Sequence, residues 1–277
     1  MDDMLTGIAA LWGAATGLLV PRAAYRFSVP PGEPRRDACP AGHPLTGPAR
    51  GWLGAARCAA CAAEAVPVVR TGAEAPSPGA EPEGEARPSV DPPPKTPRYA
   101  PHRLAPVVTA LACAALALAT GTRPELAVWL LLAPVAVLLA SIDHRVHRLP
   151  DGLTLPAAGA AAVLLGLAAL LPEHAGSWRS ALLGGLVLGG FYFLLFLINP
   201  GGMGFGDVKL ALSLGTALGW YGWAVVFAGG FAGFLFGAVY GVALVALRRA
   251  GRKTGIPFGP FMIAGAFLGL LFGGLAA

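Results

Sequence analysis

The chain has 277 residues, of which 55% are hydrophobic and only 13% charged, with 39 Gly, 26 Pro and a formal net charge of +5. A soluble domain carries about 25% charged residues, so a mean hydropathy of +0.63 excludes an ordinary water-soluble globule. The four Cys are too few for a secreted disulfide scaffold. The basic residues follow the loops and form no single patch, so no nucleic-acid partner is expected.

Apolar runs of about 20 residues span a bilayer. Eight such runs are expected, at 4–20, 104–121, 125–142, 153–172, 178–198, 207–220, 222–247 and 258–276. The fold class is therefore an all-α integral membrane protein with eight spans and a cytoplasmic loop domain after the first. Asp2 and Asp3 stand where a cleavable signal would need basic residues, so the first run is read as a span. It forms one unit (1–20). Residues 21–71 form a Cys- and His-bearing loop, 72–103 a Pro- and Glu-rich linker, and 104–277 a seven-helix core. The linker holds too little apolar surface to offset its ordering entropy, so it is expected to be disordered.

All of the 20 Lys and Arg except Arg123 and Arg179 fall after spans one, three, five and seven. The positive-inside bias then places those loops in the cytoplasm and both termini outside, in an inner or plasma membrane. The basic cluster of Arg248, Arg249, Arg252 and Lys253 reads as a topology anchor on anionic lipid. Lys209 reads as a snorkelling charge facing the headgroups. His144 and His147, beside Asp143, are likewise read against the headgroups, with perturbation of Asp143 as the other reading.

Three carboxylates are read at the membrane edge, where an ionised group costs about 2.5–3.5 kcal/mol at a helix centre. Asp143 ends span three, Asp151 opens span four after Pro150, and Asp207 closes the run Gly204-Phe205-Gly206-Asp207. Asp151 reads as a helix cap. Asp143 sits at a helix C-terminus, where the dipole disfavours it, and Asp207 follows two glycines that permit close backbone approach. Two carboxylates brought together cannot both ionise cheaply. Such a dyad activates water for attack on a peptide carbonyl while its partner protonates the amide. The reading from another class is a secondary transporter or channel using Asp143 and Asp207 as proton or cation sites.

Asp143, then Arg148-Leu149-Pro150-Asp151-Gly152-Leu153-Thr154, then Gly204-Phe205-Gly206-Asp207-Val208-Lys209-Leu210 resembles the type IV prepilin leader peptidases, membrane aspartic proteases of the GxGD type. Ile256-Pro257-Phe258-Gly259-Pro260-Phe261 is similar to their terminal motif. The resemblance implies Asp143 and Asp207 as catalytic residues, supported by Gly204, Gly206, Lys209, Pro150, Asp151, Pro257, Gly259 and Pro260. It implies cleavage of type IV prepilin or pseudopilin precursors after the Gly that ends a short basic leader. It also implies N-methylation of the new terminus by S-adenosylmethionine.

Gly13-Ala14-Ala15-Thr16-Gly17 with Tyr25-Arg26 is similar to the family's first span, but its Ser and Asn are absent here. Without the family, Gly13 and Gly17 read as helix packing. Many members carry two CxxC pairs in the first loop. Here Cys58-Ala59-Ala60-Cys61 is whole, and Cys39 with His43 replaces the other pair. A Cys₃His set can close a tetrahedron round zinc, and free thiols are the other reading. Cys113 and the glycines 229, 233, 237 and 241 read as packing.

Overall fold

A computed structural model describes residues 2–30, 32–54, 56–64, 104–247 and 256–277. The expected linker at 72–103 and the basic cluster at 248–253 lie outside the described residues. The helices are α1 (Asp2–Gly17), α2 (Val20–Phe27), α3 (Pro48–Gly51), α4 (Ala59–Glu64), α5 (Leu104–Thr120), α6 (Glu125–Val146), α7 (Asp151–Ala168), α8 (Trp178–Ile198), α9 (Phe205–Trp220), α10 (Trp223–Ala246) and α11 (Gly259–Ala276). Among the described residues the only β pairing is an isolated bridge between Ala38 and Pro44. α3 is a tight turn, since Ala49 and Arg50 have φ of 51° and 55°.

Every expected span has its helix. Among the described residues six stretches are long and apolar enough to cross a membrane, one of them running from Asp3 to Phe27 through α1 and α2. α5 and α9 are shorter, at 17 and 16 residues. The chain is an all-α, multi-pass membrane protein. A bilayer leaves the backbone no partner but its own helix, so each of the eight described apolar runs is helical.

Inside lipid, helices associate by close packing of small residues, and this chain follows that rule at three seams. A Cβ on Gly184 of α8 would sit 2.6 Å from the Gly215 carbonyl oxygen of α9. Gly233 of α10 leaves 3.2 Å to Met262 of α11, and Gly17 of α1 leaves 2.6 Å to Pro106 of α5. Gly13, Gly17, Gly229 and Gly233 thus pack helices, and buried Cys113 joins an apolar cluster with Ala9, Ala117 and Leu126. A larger core of Leu139, Leu149, Tyr192, Val208, Leu210 and Met262 unites α6 to α11.

One end of this bundle collects the C-terminus of α6 and the N-termini of α7, α9 and α11. His147 closes α6 in a left-handed conformation (φ 50°), its N–H donating to the Asp143 carbonyl at 2.8 Å. Arg148, Leu149 and Pro150 then lead into α7. At the opposite end Trp129 Nε1 donates to the Tyr221 hydroxyl at 3.2 Å, and Arg123 Nη1 to the Gly274 carbonyl at 2.9 Å.

Candidate active site

Asp143 lies in the last turn of α6 and Asp207 in the first turn of α9. Both are buried, at 4% and 7% exposure, although each carries an ionisable group. Each is held by a backbone N–H of a glycine. Gly259 N–H donates to Asp143 Oδ2 at 2.9 Å, and Gly204 N–H donates to Asp207 Oδ2 at 3.2 Å. The two carboxylates also act on one another electrostatically. His144 and His147 both lie within electrostatic range of Asp143, so these imidazoles belong to the site's field.

The glycines of the motifs are there for room. A Cβ on Gly259 would stand 2.8 Å from Asp143 Oδ2, and one on Gly206 would stand 2.9 Å from Leu149 Cβ. Gly206 therefore lets α9 close against the segment that follows Asp143. Gly204 is less confined, because its Cβ would meet Asp207 Oδ2 at 3.5 Å, an ordinary contact. Pro260 follows Gly259 in the first turn of α11, where a missing N–H costs nothing. Pro257 precedes that helix and is half-buried.

Two sequence expectations need correcting. Asp151 makes no side-chain cap, and Lys209 does not reach for headgroups. Lys209 Nζ instead meets Asp151 Oδ1 at 2.7 Å and lies 4.8 Å above the Phe205 ring. The pair ties the start of α7 to the start of α9, beside Asp207. Nothing in the spacing of 151 and 209 announces it.

Glu125 is a third correction, since the carboxylates at the membrane edge number more than three. It opens α6 at the opposite end and is fully buried. Its Oε1 accepts the Ala175 N–H at 3.3 Å, and among the described residues its Oε2 has no hydrogen-bond partner. A charged residue opening an apolar run was the available signal.

The cysteine loop is a separate centre. α2 forms its frame: Arg22 Nη2 donates to the Thr46 carbonyl at 2.6 Å, and Arg26 Nη1 to the Arg50 carbonyl at 3.1 Å. The Arg26 guanidinium also stacks 4.0 Å from the centre of Trp52. Cys39, His43, Cys58 and Cys61 offer ligand atoms that all lie within 4.8 Å of one another. Cys39 Sγ is 3.7 Å from Cys61 Sγ and from His43 Nδ1, which is 3.2 Å from Cys61 Sγ and 3.8 Å from Cys58 Sγ.

Zinc bonds of about 2.3 Å to sulfur and 2.0–2.1 Å to nitrogen give tetrahedron edges of about 3.5–3.8 Å. The four residues fit a metal ion. Three of them also make up half of a small core with Tyr25, Leu45 and Ala56, too little to hold a loop by apolar burial alone. Burial raises the Cys39 thiol, but hydrogen bonds from the Ala41 and His43 backbone and from Cys61 and Cys58 outweigh it, bringing it down to about 7. Burial, then its sulfur neighbours, push Cys61 up to about 12. A bound cation would favour both thiolates.

Residues 130–242 match the model of the type IV leader peptidase family. This segment is similar to a type IV leader peptidase domain. It holds Asp143, Asp151, Asp207 and Lys209, while Gly259 lies beyond the matched residues. The prepilin leader peptidase/N-methyltransferase of Aeromonas hydrophila is 33% identical over 180 residues, covering 65% of this chain and 61% of the relative. The protein of the same name from Aeromonas salmonicida (strain A449) is 36% identical over 145 residues, 52% of this chain and 48% of the relative. That from Bacillus subtilis (strain 168) is 39% identical over 108 residues, 38% of this chain and 42% of the relative. The chain thus spans about half the length of most curated relatives it matches. No solved structure matches it.

Proposed function

We propose that the protein is an aspartic endopeptidase of the inner or plasma membrane that removes the short basic leader of type IV prepilin-like or pseudopilin precursors. The observation that carries this reading is the Asp143–Asp207 pair: two buried carboxylates, each fixed by a glycine N–H from a family motif. The leader peptidase domain and the relatives' names support it over a proton or cation transporter.

In the proposed reaction one carboxylate takes a proton from water, whose oxygen bonds to the scissile carbonyl carbon. The partner keeps its proton until the carbon–nitrogen bond breaks, then delivers it to the departing amine. The glycine N–H bonds hold both carboxylates in place and leave their second oxygens for water and substrate. The positive-inside bias of the loops supports a cytoplasmic site with both termini outside, so that the basic leader would be cut without crossing the membrane.

Cys39, His43, Cys58 and Cys61 would hold zinc, which would fix the loop and take no part in the cleavage. The second activity in the relatives' names is methyl transfer to the new terminus, for which S-adenosylmethionine supplies an electrophilic methyl group. A cleft of about 210 Å³ between the cysteine loop and the α6–α7 connection is lined by Glu33, Arg35, Arg148 and Asp151. These opposite charges suit the ammonium and carboxylate of an amino-acid end.

The test is reconstitution in lipid vesicles with a synthetic precursor carrying a basic leader, a Gly and an apolar helix. Release of the leader is expected, with no proton or cation flux across the same vesicles. Flux without release would replace the peptidase with the transporter.

A further inference from the structure

We propose that the apolar groove between α5, α6, α9 and α11 is where the substrate's own membrane helix docks, one face inward. This rests on the peptidase reading above, and it assigns the part of the enzyme that grips the substrate beyond the scissile bond. The groove has a volume of about 760 Å³. Ser141 and His144, which flank Asp143, line one end together with Pro260, the neighbour of Gly259. Leu116, Trp129 and Leu270 line the other end.

The groove therefore ends beside Asp143, between its chain neighbours Ser141 and His144, without including either carboxylate. Along α5, from Leu104 to Leu116, it runs about 18 Å at 1.5 Å per residue. Its shape suits a guest that enters sideways from lipid. At the far end α5 and α11 are pinned together: Arg123, just after α5, donates to the Gly274 carbonyl, and a Cβ on Gly274 would come within 3.0 Å of the Ala119 carbonyl oxygen. Towards the carboxylates the α5 wall is open, with Leu104, Val108 and Leu111 at 69%, 48% and 66% exposure.

Size and lining choose a helix with large side chains. The volume over that length gives a section of about 40 Å², roughly a third to a half that of a helix 10–12 Å across with its side chains. One face of a helix fits, with the other left against lipid. Ala112, Ala115, Ala133, Ala136, Ala140 and Ala264 line the walls. Small wall residues leave holes that bulky apolar side chains fill, and they allow close backbone approach. A guest seated there presents its cytoplasmic end, where its helix gives way to the basic leader, at Asp143.

The experiment places a photoreactive phenylalanine at Leu111 or Ala264 in the groove, or at Val242 on the lipid face of α10, in the full chain in nanodiscs. The probe is a labelled peptide with a basic leader and an apolar 20-residue helix. Adducts at Leu111 and Ala264 are expected about tenfold above Val242, a difference of about 1.4 kcal/mol, and unlabelled peptide should compete them away. Equal labelling at Val242, or groove adducts with phospholipid alone, would overturn the proposal.

As a second readout, Ala136→Phe and Ala264→Phe should each raise KM about tenfold with kcat within about twofold, because they remove binding and leave the chemistry. An unchanged KM in folded protein would also overturn it. Adducts are scored on uncut peptide. Groove labelling without any cleavage would sink the peptidase reading and leave the groove as a docking site, while cleavage without groove labelling would sink the groove alone.

Discussion

Asp143 and Asp207 come from helices at different points of the chain and act on one another electrostatically, and each is steadied by a glycine N–H. Asparagine at either position keeps the shape and removes the ability to carry or release a proton. Asp143→Asn and Asp207→Asn should each lower kcat by at least about 10³-fold with unchanged membrane insertion, as expected when one member of a proton-sharing pair is lost. Single-turnover cleavage with insertion checked by detergent extraction reads both. Gly259→Ala should cost activity more than Gly204→Ala does, because its methyl would lie 2.8 Å from Asp143 Oδ2 against 3.5 Å from Asp207 Oδ2 for the other. Comparing kcat/KM for the two variants checks the order. Asp151→Asn breaks the ion pair with Lys209, yet the Asp151 side chain is 66% exposed. Water screens such a pair, so thermal unfolding should shift by no more than about 1 kcal/mol in stability.

At the scale of elements, the helices were legible and their attachments were not. The eight apolar runs give the eight helices to within a few residues, since a bilayer enforces length and hydrophobicity on each run separately. The bond from Gly259 to Asp143 joins residues 116 apart, and no local pattern encodes it. The family motifs located both ends of that bond without showing that they touch. Lys209 looked like a headgroup-facing charge because its partner, Asp151, belongs to another helix. Glu125 has no place among the three edge carboxylates read from the sequence, because its full burial beside the Ala175 segment is set by tertiary packing.

Two predictions belong to this scale. Glu125→Gln should leave stability unchanged or improve it, because it keeps a buried acceptor near the Ala175 N–H and removes a carboxylate with an unpartnered oxygen. A loss greater than about 1 kcal/mol in thermal unfolding would contradict that. In the cysteine loop, metal analysis should find one zinc per chain, and Cys58→Ser with Cys61→Ser should abolish it, since structural metal and loop folding are one equilibrium. Protein purified without chelator and free of zinc would return those residues to simple thiols. Some cleavage should survive the double variant, because Asp143 and Asp207 stand on other helices.

For the whole molecule, the arrangement assigns a task to each part. Glycine seams hold the bundle at α8–α9 and α10–α11. The N-termini of α7, α9 and α11 converge on the last turn of α6, and the cysteine loop folds on α2 at the same end as the carboxylates. The domain match covers residues 130–242. Function therefore rests most directly on one measurement: the intact masses of a type IV prepilin precursor after incubation with this protein in nanodiscs. A leader ending in Gly and a mature chain are expected, both absent with Asp143→Asn or Asp207→Asn. A mature chain heavier by one methyl group would add the second proposed activity. A precursor left whole by the unaltered protein, or cut equally by the two Asn variants, would overturn the peptidase reading.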